Sequence, residues 1–245
     1  NSIIDVDNAI LRYMDYGFYN NTYYSPTSFS VTNSTITEFN NYALYTDHYY
    51  ESASTTYTLT NVTITDGNGG STGQSYAAIY LRARNLGNIN LAFDGITIDD
   101  YGNNTGDHGL TIEVQDNAGA VVTGRVDNMT LTDLDISGGN TVAGDGIYLY
   151  DQTDATGQTN ITFSGLDFSG TGRYGVYLRG NALNTLASVD NTSTNVNTIT
   201  GSATSAYNLL LDGIKGGDYD YITLSTATAS SLYFTNDAAP TNWAL

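Results

Sequence analysis

The stretch TNITFSGLDFSGTGRYGVYLRGN, residues 159–181, alternates apolar and polar side chains with a period of two. Ile161 and Phe163 share one side of an extended chain. Leu166 and Phe168 share it again, and Val176 and Leu178 form a third such pair. This alternation predicts half-buried strands rather than helix. Gly165 breaks it between the first two pairs, where a backbone turns most cheaply through a left-handed conformation. The stretch therefore reads as two short strands hinged at a corner, a polar turn, and a third strand. One such unit cannot cover its own apolar side, so it needs copies stacked above and below.

Working outward, the copies are found. A template of apolar, any, apolar, any, Asn or Gly, core residue, any, apolar places corners at Asn8, Asn33, Asn61, Gly95, Asn128, Gly165 and Asn191. Asn tolerates the left-handed region better than other non-Gly residues, so Asn and Gly at one position share a cause. Flanking pairs such as Phe29/Val31, Tyr57/Leu59 with Val62/Ile64, and Leu91/Phe93 with Ile96/Ile98 are apolar. The third strand recurs around Phe18, Leu44, Ile79, Leu110, Ile147, Val176, Leu209 and Leu232.

Composition fits short strands: 26 Gly, 2 Pro and no long helical period in 245 residues. Stacked repeats grow in one dimension, so this length is compatible with one domain. We expect a single all-β domain over residues 1–245, with about eight rungs across roughly residues 3–235 and a tail over 236–245. At about 4.8 Å per rung the rod would be roughly 40 Å long. Trp243, the only tryptophan, is expected to plug or cross the open end of the coil.

This pattern of corners and strands resembles the right-handed parallel β-helix, the repeat family of pectin-degrading enzymes, phage tailspikes and bacterial autotransporter passengers. The resemblance covers about residues 3–235 and implies the fold. It does not select an activity, because the scaffold carries many.

With 7 basic and 25 acidic residues the net charge is −18, and Lys215 is the only lysine. Such a surface disfavours nucleic acid and anionic membranes. Zero cysteine excludes disulfides and thiolate zinc sites. A Thr/Asn/Gly-rich, lysine-poor, cysteine-free chain resembles a protein exported by a bacterium, which places the expected location outside the cell or on its surface. The chain shows no signal peptide and no membrane span, and its opening on Asn1 suggests a piece of something longer. Long turns in rungs three to five (DGNGGSTGQSYA, DDYGNNTGDH, TDLDISGGNTVAGD) gather where a repeat array usually carries function.

Two columns carry the available chemistry. Five residues beyond successive corners stand Tyr13, Glu38, Asp66, Asp100 and Asp133. Carboxylates at neighbouring levels repel, raise one another's pKa, or recruit a cation. Glu38, Asp66, Asp100 and Asp133 are thus a candidate calcium site, since calcium takes carboxylate oxygens with loose geometry. The plainer alternative is that these Asp residues end strands and start turns. The third reading is catalytic. The β-helical polygalacturonases use an Asn-Thr-Asp, an Asp pair, a Gly-His-Gly and an Arg-any-Lys. Here ITDG at 64–67, Asp99-Asp100 and Asp107-His108-Gly109 look similar. That likeness makes Asp66, Asp99, Asp100 and His108 the candidate catalytic set for polysaccharide cleavage, acting as acid and base. His108 comes one rung early and Gly213-Ile214-Lys215 lacks the arginine, so the set departs from the family pattern.

The second column is aromatic. One residue after each third-strand core position stand Tyr19, Tyr45, Tyr80, Thr111, Tyr148, Tyr177, Leu210 and Tyr233. Just before the core position the residue is small: Gly17, Ala43, Ala78, Gly109, Gly146 and Gly175. Six outward tyrosines beside small residues form an amphipathic face for a sugar or a protein strand. The alternative is a ladder that only stabilises the sheet. The next outward file, Asp47, Arg82, Glu113, Tyr150, Arg179 and Asp212, reads as surface ion pairing. Arg82 and Arg84 are expected to be its surface partners, each pair contributing a few tenths of a kcal/mol.

Three functions follow. The favoured one is a bacterial surface adhesin or binding rod that takes a glycan or an extracellular protein on the tyrosine face and the long turns. The second is a polysaccharide hydrolase or lyase at Asp66, Asp99 and Asp100. The third is a calcium-binding rod in a surface layer or fibre, associating end to end or laterally.

Overall fold

The computed structural model describes residues 2–22, 27–49, 54–67, 77–84, 88–101, 107–115, 125–137, 144–151, 159–164, 167–168, 175–179, 185–189, 197–199, 207–212, 216–218, 222–224, 230–235 and 242–244. Within them every regular element is a strand, and nineteen strands form one sheet. The longer strands are β1 (Ser2–Asp7), β2 (Ile10–Thr22), β3 (Thr27–Tyr49), β4 (Ser54–Thr65), β5 (Ala77–Arg84), β6 (Asn88–Asp99), β7 (His108–Gln115), β8 (Arg125–Ser137) and β9 (Ile147–Asp151). The shorter ones are β10 (Thr159–Ser164), β11 (Asp167–Phe168), β12 (Val176–Arg179), β13 (Thr185–Val189), β14 (Asn197–Ile199), β15 (Tyr207–Asp212), β16 (Gly216–Asp218), β17 (Ile222–Leu224), β18 (Ser230–Thr235) and β19 (Asn242–Ala244).

The pairings are all parallel and sort into three ladders. The first runs β1, β3, β4, β6, β8, β10, β13, β16, β19. The second runs β2, β3, β4, β6, β8, β11, β14, β17. The third runs β2, β3, β5, β7, β9, β12, β15, β18. The first ladder continues to Trp243, which pairs with Gly217, so strand pairing extends past residue 235.

The ladders curl around one core. Phe29, Tyr57 and Leu91 face it from the first ladder, Ile36, Val62 and Ile96 from the second, and Leu44, Ile79, Leu110, Ile147 and Val176 from the third. These side chains are all buried. Each fully buried aliphatic or aromatic side chain contributes about 1.5–3 kcal/mol. At the first level, β1 and β2 pair with β3 alone among the described residues, and Ile4, Val6, Leu11, Met14 and Phe18 are only partly covered.

The corners form where Asn and Gly were expected, at Asn8 (φ 54°), Asn33 (φ 48°), Asn61 (φ 52°) and Gly95 (φ 66°). They stack through side chains: Asn61 Nδ2 donates to Asn33 Oδ1 at 3.2 Å, and Asn33 Nδ2 donates to Asp7 Oδ1 at 2.9 Å. A Cβ on Gly95 would lie 2.8 Å from Asn61 Oδ1, so that position takes glycine for space as well as for φ.

The corner expected at Asn128 is misplaced. Asn128 pairs with Asn90 inside the first ladder, whereas Thr132 pairs with Asp94 and Leu134 with Ile96, which sets Asp133 opposite Gly95. Met129/Leu131 and Leu134/Ile136 are both apolar pairs, so the template fits one strand too early and the nearer Asn attracts it. The expected corners Gly165 and Asn191 lie outside the described residues.

The core contains a hydrogen-bonded polar group. The buried Tyr57 hydroxyl meets Asn20 Nδ2 at 2.7 Å, Thr46 Oγ1 at 2.5 Å and His48 Nε2 at 2.5 Å. A phenol has a single proton to donate, so Tyr57 accepts from Asn20 and donates to one of Thr46 and His48. Burial pushes Tyr57 up to about 12 and His48 down to about 4. Both are therefore neutral at pH 7.

Candidate binding surface

The third ladder turns its core residues inward and sets the expected tyrosine file on its outer side. Tyr19 pairs with Tyr45, Tyr45 with Tyr80, Tyr80 with Thr111 and Thr111 with Tyr148. Tyr148 then pairs with Tyr177, Tyr177 with Leu210 and Leu210 with Tyr233. All eight positions share one file. For Tyr233 this is a statement of backbone register alone.

The rings lie on one another. Tyr19 and Tyr45 stack at 5.0 Å with planes 6° apart, and Tyr45 and Tyr80 stack at 5.3 Å and 4°. Tyr148 and Tyr177 are 5.3 Å apart and tilted by 49°. Ladder spacing of about 4.8 Å makes this the natural contact for identical aromatic neighbours. Stacking hides ring faces, and hydroxyls of the file meet neighbouring polar side chains: Arg82 Nη2 donates to Tyr45 at 3.4 Å and Asn21 Nδ2 to Tyr19 at 3.5 Å. At Gly17 in the small file beside the rings, close packing excludes a side chain: a Cβ there would fall 2.4 Å from the Ala43 carbonyl oxygen.

Three aromatic residues belong to this surface that the sequence reading did not assign to it. Tyr16 and Tyr42, three residues before Tyr19 and Tyr45, pair with each other, and their rings stack at 5.7 Å. They also pack on the main file, Tyr16 against Tyr19 at 5.1 Å and Tyr42 against Tyr80 at 5.6 Å. His108 stands in the same offset at the level of Thr111 and stacks on Tyr148 at 5.0 Å. The signal was the repeated three-residue offset from the tyrosine file.

The charged file is in register as expected but is not merely a surface feature. Asp47 is 1% exposed and holds two arginines, with Arg82 Nη2 and Arg84 Nη2 both at 2.5 Å and Arg84 Nε at 3.0 Å. The arginines are partly exposed, but the carboxylate is buried, so the assembly is a desolvated triad rather than a loose pair. Both arginines come from the neighbouring strand β5. The Tyr80 hydroxyl donates to Glu113 Oε2 at 2.7 Å, and burial with the nearby Glu113 charge raises Tyr80 well above the usual phenol range. Arg179 lies 4.5 Å above the Tyr150 ring.

The acidic column is a second line of left-handed corners. Tyr13 (φ 58°), Glu38 (φ 56°), Asp66 (φ 56°) and Asp100 (φ 51°) stand at successive levels of the second ladder. Asp suits such positions by bonding locally and tolerating positive φ. Asp133 does not belong to the column, since register sets it at the first corner. Tyr13, Glu38, Asn40 and Asp66 line an open groove of about 510 Å³. Thr37 Oγ1 donates to Asp66 Oδ2 at 3.0 Å. Among the described residues no three acidic or imidazole side chains gather closely enough to hold one metal ion.

Asp66 and Asp99 both lie near enough to Asp100 for their charges to act on it. Burial, then the charges of Asp66 and Asp99, raise the Asp100 carboxyl above its ordinary value. His108 is fixed by other groups: its Nδ1 accepts the Asp145 backbone N–H at 3.0 Å, with Asp145 Oδ2 at 3.5 Å, and Tyr148 covers its ring. The inner parts of the three long turns lie outside the described residues. No described helix is long and apolar enough to cross a membrane. No family model matches this chain, and neither do the curated proteins or the solved structures compared with it.

Proposed function

We propose that the chain is a right-handed parallel β-helix of about eight rungs that serves as a bacterial binding rod, exported and displayed at the cell surface. Its tyrosine face takes a glycan or an extracellular protein. The observation carrying this reading is the single file of outward tyrosines, broadened by Tyr16, Tyr42 and His108. Tyr19 is 56% exposed. A row of hydroxyls repeating at the ladder spacing suits a ligand that is itself periodic, and tyrosine supplies contact area at low entropic cost. The acidic, cysteine-free, lysine-poor composition supports the location.

The test is retention of the purified chain on arrays of neutral and acidic glycans and of matrix proteins, with bound glycans recovered and weighed. Uncleaved, retained ligand is expected. Shortened products would overturn the rod and move the function to Asp66, Asp99 and Asp100. That second reading draws on the raised Asp100 carboxyl, which suits a general acid. It predicts that Asp100→Asn abolishes product formation without unfolding the chain.

A further inference from the structure

The tyrosine file is interrupted at Thr111, between Tyr80 and Tyr148. Two side-chain atoms beside this break are buried and have no hydrogen-bond partner: Thr111 Oγ1 and Arg82 Nε. Thr111 points outward, between the core residues Leu110 and Ile112, yet is only 4% exposed. The two residues are diagonal neighbours, since Thr111 pairs with Tyr80 and Arg82 with Glu113. A buried hydroxyl and a buried guanidinium N–H left unmade are costly, and native proteins rarely keep them without water or ligand.

The same break leaves Tyr80 without a stacked tyrosine on its Thr111 side. Tyr80 stacks on Tyr45 on one side, has the Tyr42 ring at 5.6 Å and the Arg82 guanidinium at 5.8 Å from its ring centre, and in the file meets only the short Thr111 on the other side. Tyr148 is covered at this level by His108. The notch therefore combines one ring face, one hydroxyl and one N–H donor, with the Tyr80–Glu113 hydrogen bond at its rim.

We propose, resting on the binding-rod reading above, that this notch receives one ring of an uncharged saccharide. The sugar sets a C–H face on Tyr80 and gives hydroxyls to Thr111 Oγ1 and Arg82 Nε. The ligand is polar because the two unmet atoms are polar. It is uncharged because Arg82 is already neutralised by Asp47, Glu113 stands alongside, and a net charge of −18 repels an anionic sugar. Entry needs a rotamer change in the side chains over Thr111, which is common where ligands bind.

The experiment is calorimetric titration of the full chain with the hexamers of β-linked glucose, xylose and N-acetylglucosamine, using wild type, Thr111→Val and Thr111→Tyr. Thr111→Val removes the hydroxyl at nearly constant volume; Thr111→Tyr fills the notch. The wild type is expected to bind at least one hexamer. Thr111→Val should bind it roughly tenfold more weakly, the loss of about one hydrogen bond, and melt no lower than wild type. Thr111→Tyr should not bind. Wild-type binding that both variants retain would overturn the notch while leaving the binding rod standing. A lower melting temperature for Thr111→Val with unchanged affinity would mean that an ordered water completes the two atoms, and would overturn it too. Failure of the wild type to bind any hexamer would overturn the notch, while the wider arrays of neutral and acidic glycans decide the binding rod separately.

Discussion

Tyr13 is 79% exposed and sits at φ 58°, a backbone region that costs a side chain such as tyrosine about 1–2 kcal/mol. Tyr13→Gly should therefore raise the stability read from urea unfolding, by up to about 1 kcal/mol after the entropy of glycine is counted. Gly95→Ala should do the reverse, losing about 1–2 kcal/mol through strain and the clash with Asn61 Oδ1. Equal effects of the two substitutions would contradict the left-handed corners. His48 is the residue that ties stability to pH. Its folded pKa, about 4, lies below the ordinary 6.5 because burial disfavours the charged ring. The unfolded chain thus binds a proton between those values that the folded chain refuses. Stability is complete above about pH 6.5 and falls by up to about 3 kcal/mol as pH drops to 4. The raised Asp100 carboxyl acts oppositely, since its proton favours the folded chain at low pH. Replacing His48 with Gln should flatten the urea midpoint over this window; an unchanged slope would move the pH dependence elsewhere.

At the scale of the ladders, the tyrosine file and the core file beside it were legible because period-two alternation fixes which side chains face out. The positions then follow by counting from Phe18, Leu44 and Ile79. The first corners were legible for an equally local reason, the rarity of left-handed residues other than Gly and Asn. Asn128 failed because two consecutive apolar pairs around Asp133 satisfy the same template, and only hydrogen-bonded register with β6 separates them. The left-handed conformation of Tyr13 and Glu38 could not be read, since neither residue type advertises it. Nor could the burial of Asp47, which depends on what neighbouring strands lay over it. Asp47→Ala should cost about 2–3 kcal/mol, at or just below the low end for a broken buried pair because both arginines keep some solvent. A loss of only a few tenths, measured by urea unfolding, would return the file to ordinary surface pairing.

For the molecule as a whole, the chain carries 25 acidic residues against 7 basic ones, and its described strands form one curled sheet. Self-repulsion of this kind weakens with screening, so the melting temperature should rise from low salt to 0.15 M, where the screening length is about 8 Å. The central claim is that the tyrosine file binds, beyond holding the sheet together. Its most direct measurement is a variant with Tyr19, Tyr45, Tyr148 and Tyr177 all changed to Phe, compared with wild type for melting temperature and for attachment to the ligand retained on the arrays. Phenylalanine keeps the stacked rings and removes the hydroxyls. The account predicts a largely preserved melting temperature with attachment lost. Full attachment by a folded variant would contradict it, and would leave the tyrosine file a structural ladder.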